Sequence, residues 1–318
     1  MANPSKSTPP RSTPVPPRGG ARRGGPGGRP AGGGPVKGGQ ARQAQHRRNR
    51  MLAWGAVVAV VVVVAALIGV KLAGGGGSGG AARQPAPASA VSKLTTVPVS
   101  TLVSAASKVH GLYPATAAGD PPLTSGGKPE LLYIGAEFCP ICATERWPMT
   151  VALSHFGTFS NLQQTHSAVT DGNIPTLSYY GSTFTSPYLT FTPVENTTNQ
   201  RQGNGYKPLQ QPTAAEQALW LKHSGNPPSY PFVDIGGKVV LTTSQFPDTV
   251  VQGHSFSDIV SAVGSNNNTL GASIDASAAV LTRYICSITN QQPAQTCSAV
   301  ANVALPSSTG ANGSSTSG

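Results

Sequence analysis

The sequence predicts one α/β domain behind a single membrane-spanning helix and a basic tail. Three observations predict it. Residues 51–70 are an uncharged apolar run, residues 1–50 are rich in Gly, Pro and Arg, and the longer remainder alternates strand-like and helix-like apolar patterns around a Cys-x-x-Cys tetrapeptide.

All of the net charge of +11 sits in residues 1–50, which hold eleven of the 22 Lys and Arg and no Asp or Glu. The remaining chain is balanced, so the basic character describes a tail and not a domain. With almost no large apolar side chains, the tail cannot bury enough surface to offset ordering entropy, and disorder is expected over 1–50. At helical rise, twenty uncharged residues span roughly the 30 Å hydrocarbon core, which places a transmembrane helix at 51–72. Arg47, Arg48 and Arg50 abut its start. That bias puts the N-terminus in the cytoplasm and residues 73–318 outside it. The alternative, a cleaved signal peptide, has a shorter apolar core and a cleavage site closer to it than the Ala-Ser-Ala at 88–90. A Gly- and Ser-rich linker is expected over 73–93, a globular domain over 94–305, and a frayed Ser/Thr/Gly tail over 306–318.

Within the domain, the apolar run 131–138 reads as a buried strand. Cys139-Pro140-Ile141-Cys142 follows, and Ile141, Trp147, Val151, Leu153 and Phe156 then fit one helix, interrupted by the donor-less Pro148. Residues 174–180 and 188–194 read as strands separated by a turn-rich segment. Thr213 and Glu216 form a capping box that opens a helix to about His223. Residues 232–235 and 239–242 make a hairpin across Gly236-Gly237. A short helix opens at Ser255 and ends near Val263. Residues 276–288 have helical spacing and precede a turn at 290–295.

The tetrapeptide carries the chemistry. Strand followed by helix puts Cys139 at a helix start, where unsatisfied N–H groups and the positive dipole end favour a thiolate over a thiol. Cys139 is therefore the expected nucleophile of disulfide exchange and Cys142 the resolving thiol. Cys286 and Cys297 flank the late turn, and on the oxidising side of a membrane they are expected to form a structural disulfide. A second redox pair that shuttles electrons to Cys139 is the alternative. Zinc ligation by four cysteines is disfavoured by the long second spacing, and haem attachment by Ala143 where a His would be required. No metal or cofactor is expected.

The element order, with the dithiol where it stands, resembles the thioredoxin fold, a central mixed sheet flanked by helices, here with a C-terminal helical extension. Ala136-Glu137-Phe138-Cys139 is similar to the Ala-Glu-Trp-Cys of thioredoxins, and Pro148 falls near the proline that kinks their first long helix. Ser229-Tyr230-Pro231-Phe232 resembles the cis-proline segment that faces the dithiol, which implies that Pro231, with Tyr230, holds the substrate backbone. Ile174-Pro175-Thr176 is a rival match that lies before the helix instead of after it. More narrowly, the run 133–159, the Pro231 segment and the late cysteine pair resemble the thioredoxin-like family catalogued as domain of unknown function 929. That family implies a fold and a dithiol but no substrate.

One departure bears on mechanism. Thioredoxins carry a buried Asp six residues before the nucleophile, and here that position is Tyr133. Glu137 and Glu145 are the candidates for proton transfer, weighed against a solvated rim residue and a helix-surface charge paired with Arg146 or nothing. Phe138 and Trp147 are candidates for an apolar shoulder at the dithiol, Trp147 alternatively being core.

The expected function is a membrane-anchored extracytoplasmic thiol–disulfide oxidoreductase. Its partners would be protein thiols or disulfides outside the cytoplasm, the membrane through one helix, and anionic lipid near the basic tail, in preference to nucleic acid. The alternative is a non-catalytic envelope binding module whose Cys139–Cys142 bond is static.

Overall fold

In a computed structural model, the structure describes residues 82–307. The expected tail, membrane helix and first part of the linker lie outside these residues. Among the described residues no helix is long and apolar enough to cross a membrane.

The expected linker over 73–93 is corrected from residue 84 onward. Strand β1 (Gln84–Pro85) and helix α1 (Ala88–Thr95) occupy it, and α1 buries Ala90 and Leu94. The Ala- and Ser-rich composition hid this helix, because its apolar face amounts to two or three small side chains. Helix α2 (Val99–Ala106) follows, then β2 (Thr116–Ala117), β3 (Thr124–Ser125) and β4 (Lys128–Gly135). The strand expected over 131–138 thus begins and ends three residues earlier. Glu137 and Phe138 lie in the turn into helix α3 (Pro140–Leu153).

After α3 come β5 (Thr158–Ser160), β6 (Gln163–His166), β7 (Pro175–Ser178), β8 (Thr183–Thr185), β9 (Thr190–Glu195), β10 (Thr197–Gln202) and β11 (Gly205–Pro208). Helix α4 (Ala214–Ser224) is opened by both halves of the Thr213–Glu216 capping box. The hairpin β12 (Phe232–Ile235) and β13 (Val239–Leu241) precedes helices α5 (Phe256–Ala262), α6 (Thr269–Ile288) and α7 (Ala294–Val300). The spacing read over 276–288 therefore captures only part of α6. Its first turn, Thr269-Leu270-Gly271-Ala272, carries a single large apolar residue, and the Asn268 side chain caps it by accepting from the Gly271 N–H at 2.9 Å.

The main sheet runs β2–β13–β12–β4, all antiparallel, and β9 lies parallel along the other side of β4, Leu131 opposite Phe191 and Ile134 opposite Val194. A parallel partner needs a crossover, and α3 lies within it. Both faces of β4 are covered. Leu131 and Tyr133 belong to the larger core with Trp147, Val151 and Ile274, while Leu132 and Ile134 pack with Trp220, Phe232 and Val240. This is why 131–134 reads as a continuous apolar run and not as an alternation. A separate antiparallel sheet, β1–β6–β7, holds Gln84 and Pro85 against the strand that starts at Gln163.

Candidate functional site

Cys139 is the N-cap of α3, and its sulfur accepts the Cys142 backbone N–H at 3.1 Å. Pro140 at the first helical position suits a residue whose N–H would have no intrahelical acceptor. The Cys139 thiol also reaches the Tyr230 carbonyl oxygen at 3.9 Å, and the Tyr230–Pro231 peptide is cis. The rival, Pro175, lies on β7, where its carbonyl oxygen accepts the Trp147 indole N–H at 3.1 Å. The Pro231 segment is thus the one that adjoins Cys139.

The two thiols differ in environment. Cys139 is 5 % exposed and Cys142 fully buried. Burial pushes the Cys139 thiol up, but hydrogen bonds from the Cys142 side chain and backbone, with the charge of Arg146, outweigh it, and the net direction is down. Burial, followed by the hydrogen bond and charge of Cys139, pushes Cys142 well up, with Arg146 opposing. The arrangement favours one thiolate, on the outer sulfur.

Both candidate carboxylates depart from the surface positions weighed for them. Glu137 is buried, accepts from Ser178 Oγ at 2.7 Å and pairs with Arg83 at 2.8 Å. Burial first and then Glu195 push its carboxyl up, while Ser178 and Arg83 pull it back. Glu145 is fully buried on α3 and accepts the Gln245 N–H at 3.2 Å through one oxygen, leaving the other without a partner. Burial raises it from 4.5 to about 8. Among the described residues, neither carboxylate hydrogen-bonds either cysteine. Arg146 pairs not with Glu145 but with Glu195 at the end of β9, donating from Nε at 2.9 Å and from Nη2 at 2.6 Å. Trp147 is fully buried beside Phe256 and is core, not shoulder.

Phe138 keeps its place at the dithiol. Its ring stacks on Tyr206 of β11 at 4.2 Å between centroids, and Arg201 of β10 lies over the Tyr206 ring at 4.5 Å. The β10–β11 hairpin is tied to the turn before Cys139 through the Glu137 N–H, which donates to the Thr197 carbonyl at 2.9 Å. Sequence reasoning missed this hairpin, Arg146 and Glu195. The available signal was a Glu-Arg pair inside an otherwise apolar helix pattern, where two charges in a row call for partners.

The second cysteine pair stands apart. Cys286 of α6 and Cys297 of α7 lie at disulfide distance, with Cα atoms 5.5 Å apart. They pack in the larger core, away from the Cys139 and Cys142 cluster, and among the described residues no group of His, Cys, Asp and Glu is arranged to hold a metal.

A mixed α/β fold with a dithiol at a helix start defines the class of protein. The chain belongs to the family described as domain of unknown function 929, whose model matches residues 116–287, just over half of its length. No curated protein and no solved structure matches it.

Proposed function

We propose that this chain is a thiol–disulfide exchange protein with a thioredoxin-like fold, anchored by the helix expected at 51–72 with its domain outside the cytoplasm. The fold reading is supported by four relationships: β4 leads into the dithiol helix, β9 runs parallel to β4, β12 runs antiparallel on its other side, and the cis-proline segment before β12 adjoins the dithiol. The functional reading rests on one observation. The Cys139 sulfur accepts an N–H at the start of α3 and is disposed to ionise, while Cys142 stays protonated behind it.

In this reading the Cys139 thiolate attacks a substrate disulfide. Cys142 resolves the mixed disulfide, and the Tyr230–Pro231 backbone lies where the extended substrate chain would run. The test is a redox titration of the full-length chain in detergent, following the Cys139–Cys142 pair by differential alkylation and mass spectrometry across glutathione potentials. An exchange protein is expected to titrate above about −270 mV while Cys286–Cys297 stays closed. If neither pair opens until the fold is lost, Cys139–Cys142 is a static bond and the chain is a binding module.

A further inference from the structure

Two buried side chains near the dithiol each carry a polar atom without a hydrogen-bond partner. The fully buried Arg146 guanidinium holds Glu195 through Nε and Nη2 and the Ala136 carbonyl through Nη2 at 2.9 Å, yet its Nη1 makes no hydrogen bond. The Tyr133 hydroxyl, also fully buried, makes none either, and the guanidinium carbon stands 5.7 Å from the Tyr133 ring centre. A buried donor without an acceptor carries a desolvation cost that a newly formed anion would relieve. Arg146 lies four residues beyond Cys142, one helical turn away on the same face of α3.

We infer that Arg146, held in place by Glu195, is a positioning cation that receives the Cys142 thiolate as the mixed disulfide resolves. The inference rests on the exchange reading above and names the charge that stabilises the Cys142 thiolate, while the Cys142 proton itself ends on the departing substrate sulfur. In the step, Cys142 gives up its proton and its sulfur attacks the Cys139 sulfur. The Cys139–Cys142 bond forms, the bond from Cys139 to the substrate sulfur breaks, and the departing thiolate takes up one proton. The cysteine pair loses two electrons and the substrate disulfide gains them.

The groups around Cys142 fit this role. The charge of Arg146, one turn along its own helix, bears on Cys142, as do Cys139 at the helix start, Tyr133 on β4 and Tyr230 in the segment before β12. Glu195 of β9 and Tyr179 after β7 close the site around Arg146 and Tyr133. Burial pushes the Tyr133 phenol far up, so it stays protonated and offers a donor, not a base. Among the described residues neither Glu137, held by Ser178 and Arg83, nor Glu145, which accepts the Gln245 N–H through one oxygen and leaves the other unpaired, hydrogen-bonds Cys142.

A buried ion pair that only held the fold together would give a loss of stability and no signed change in thiol chemistry. A cation acting on sulfur gives opposite signs for two variants. Glu195→Gln removes the counter-charge and leaves the cation stronger. Arg146→Met with Glu195→Leu removes both charges without stranding either.

The probe is 5,5′-dithiobis(2-nitrobenzoate) added to the reduced full-length chain in detergent. Its first coloured thiolate reports attack by Cys139 and its second reports resolution by Cys142. The pH midpoint of the second release is expected to fall in Glu195→Gln and rise in the double variant, each by about tenfold in proton concentration, while Arg146→Lys, which keeps the charge, stays near the wild type. If the double variant does not fold, Glu195→Gln against Arg146→Lys still decides. Unmoved midpoints with second release intact overturn this inference alone. Absence of second release from the wild-type chain overturns the exchange reading beneath it.

Discussion

The sulfur of Cys139 lies 3.9 Å from the carbonyl oxygen of Tyr230, 91 residues away in sequence, so one loop edge and one helix start form a single surface. The Tyr230 hydroxyl is tied to the Asn196 side chain, and its ring meets Phe138 edge-on at 6.0 Å. Cys139 is thus bordered by the Tyr230 carbonyl and by the rings of Phe138 and Tyr230.

Alkylation should be strongly one-sided. At neutral pH, iodoacetamide is expected to label Cys139 at least about tenfold faster than Cys142, because only the thiolate reacts and only Cys139 is shifted toward it. Peptide mass spectrometry of briefly treated reduced chain reads the ratio, and equal labelling would refute the assignment of roles.

Phe138, which packs against the Cys139 and Cys142 cluster, stacks on Tyr206, and Cys139 is only 5 % exposed. Tyr206→Ala is expected to speed alkylation of Cys139 several-fold with little change in stability, since the hairpin that carries Tyr206 is mostly half-buried or exposed. An unchanged rate would mean that access is controlled elsewhere.

Stability should fall as pH rises through the range in which Glu145 titrates. Its carboxyl is raised from 4.5 to about 8, so between those values the folded chain keeps a proton that the unfolded chain has released. The stabilising protonation is complete below pH 4.5 and is lost as pH climbs through 8. Asp275, raised to about 7 by burial, adds a slope of the same sign. Glu145→Gln is expected to flatten the decline and to gain on the order of 3 kcal/mol over wild type at pH 8. Urea unfolding at pH 5 and pH 8 measures it, and parallel slopes for both proteins would contradict the account.

The α6–α7 bridge should be structural and independent of the dithiol. Replacing Cys286 and Cys297 with Ala is expected to cost roughly 3 kcal/mol of stability on the chain-entropy model. The Cys139 to Cys142 labelling ratio should stay as it was. A changed ratio would couple the two pairs.

Much of this architecture is readable from the residues because its elements carry their own signals. Thr213-x-x-Glu216 and Ser255-x-x-Asp258 announce helix starts, and Gly236-Gly237 announces a hairpin. Other parts are silent for physical reasons. Helix α1 buries only Ala90 and Leu94, too narrow a stripe to stand out. The β10–β11 hairpin is built from Thr, Asn, Gln and Arg on one strand and Gly, Tyr, Lys and Pro on the other, without apolar alternation, and it meets the turn before Cys139 through Glu137 and Phe138. At the site, the cysteines are legible as a local motif, whereas the Arg146–Glu195 pair joins residues 49 apart and exists only once β9 lies beside β4.

Tyr133 and Gly135 point to the same face of β4, and a methyl group added at residue 135 would sit 2.0 Å from the Tyr133 hydroxyl oxygen. The glycine is therefore the vacant seat into which the phenol reclines. The two positions form one heritable unit: a lineage that acquires any side chain at 135 must first shorten the residue at 133, and one that shortens 133 first is left with a hollow in its larger core. Change at 135 alone collides with the phenol and change at 133 alone leaves a cavity, so related chains should mostly keep both residues or have exchanged both.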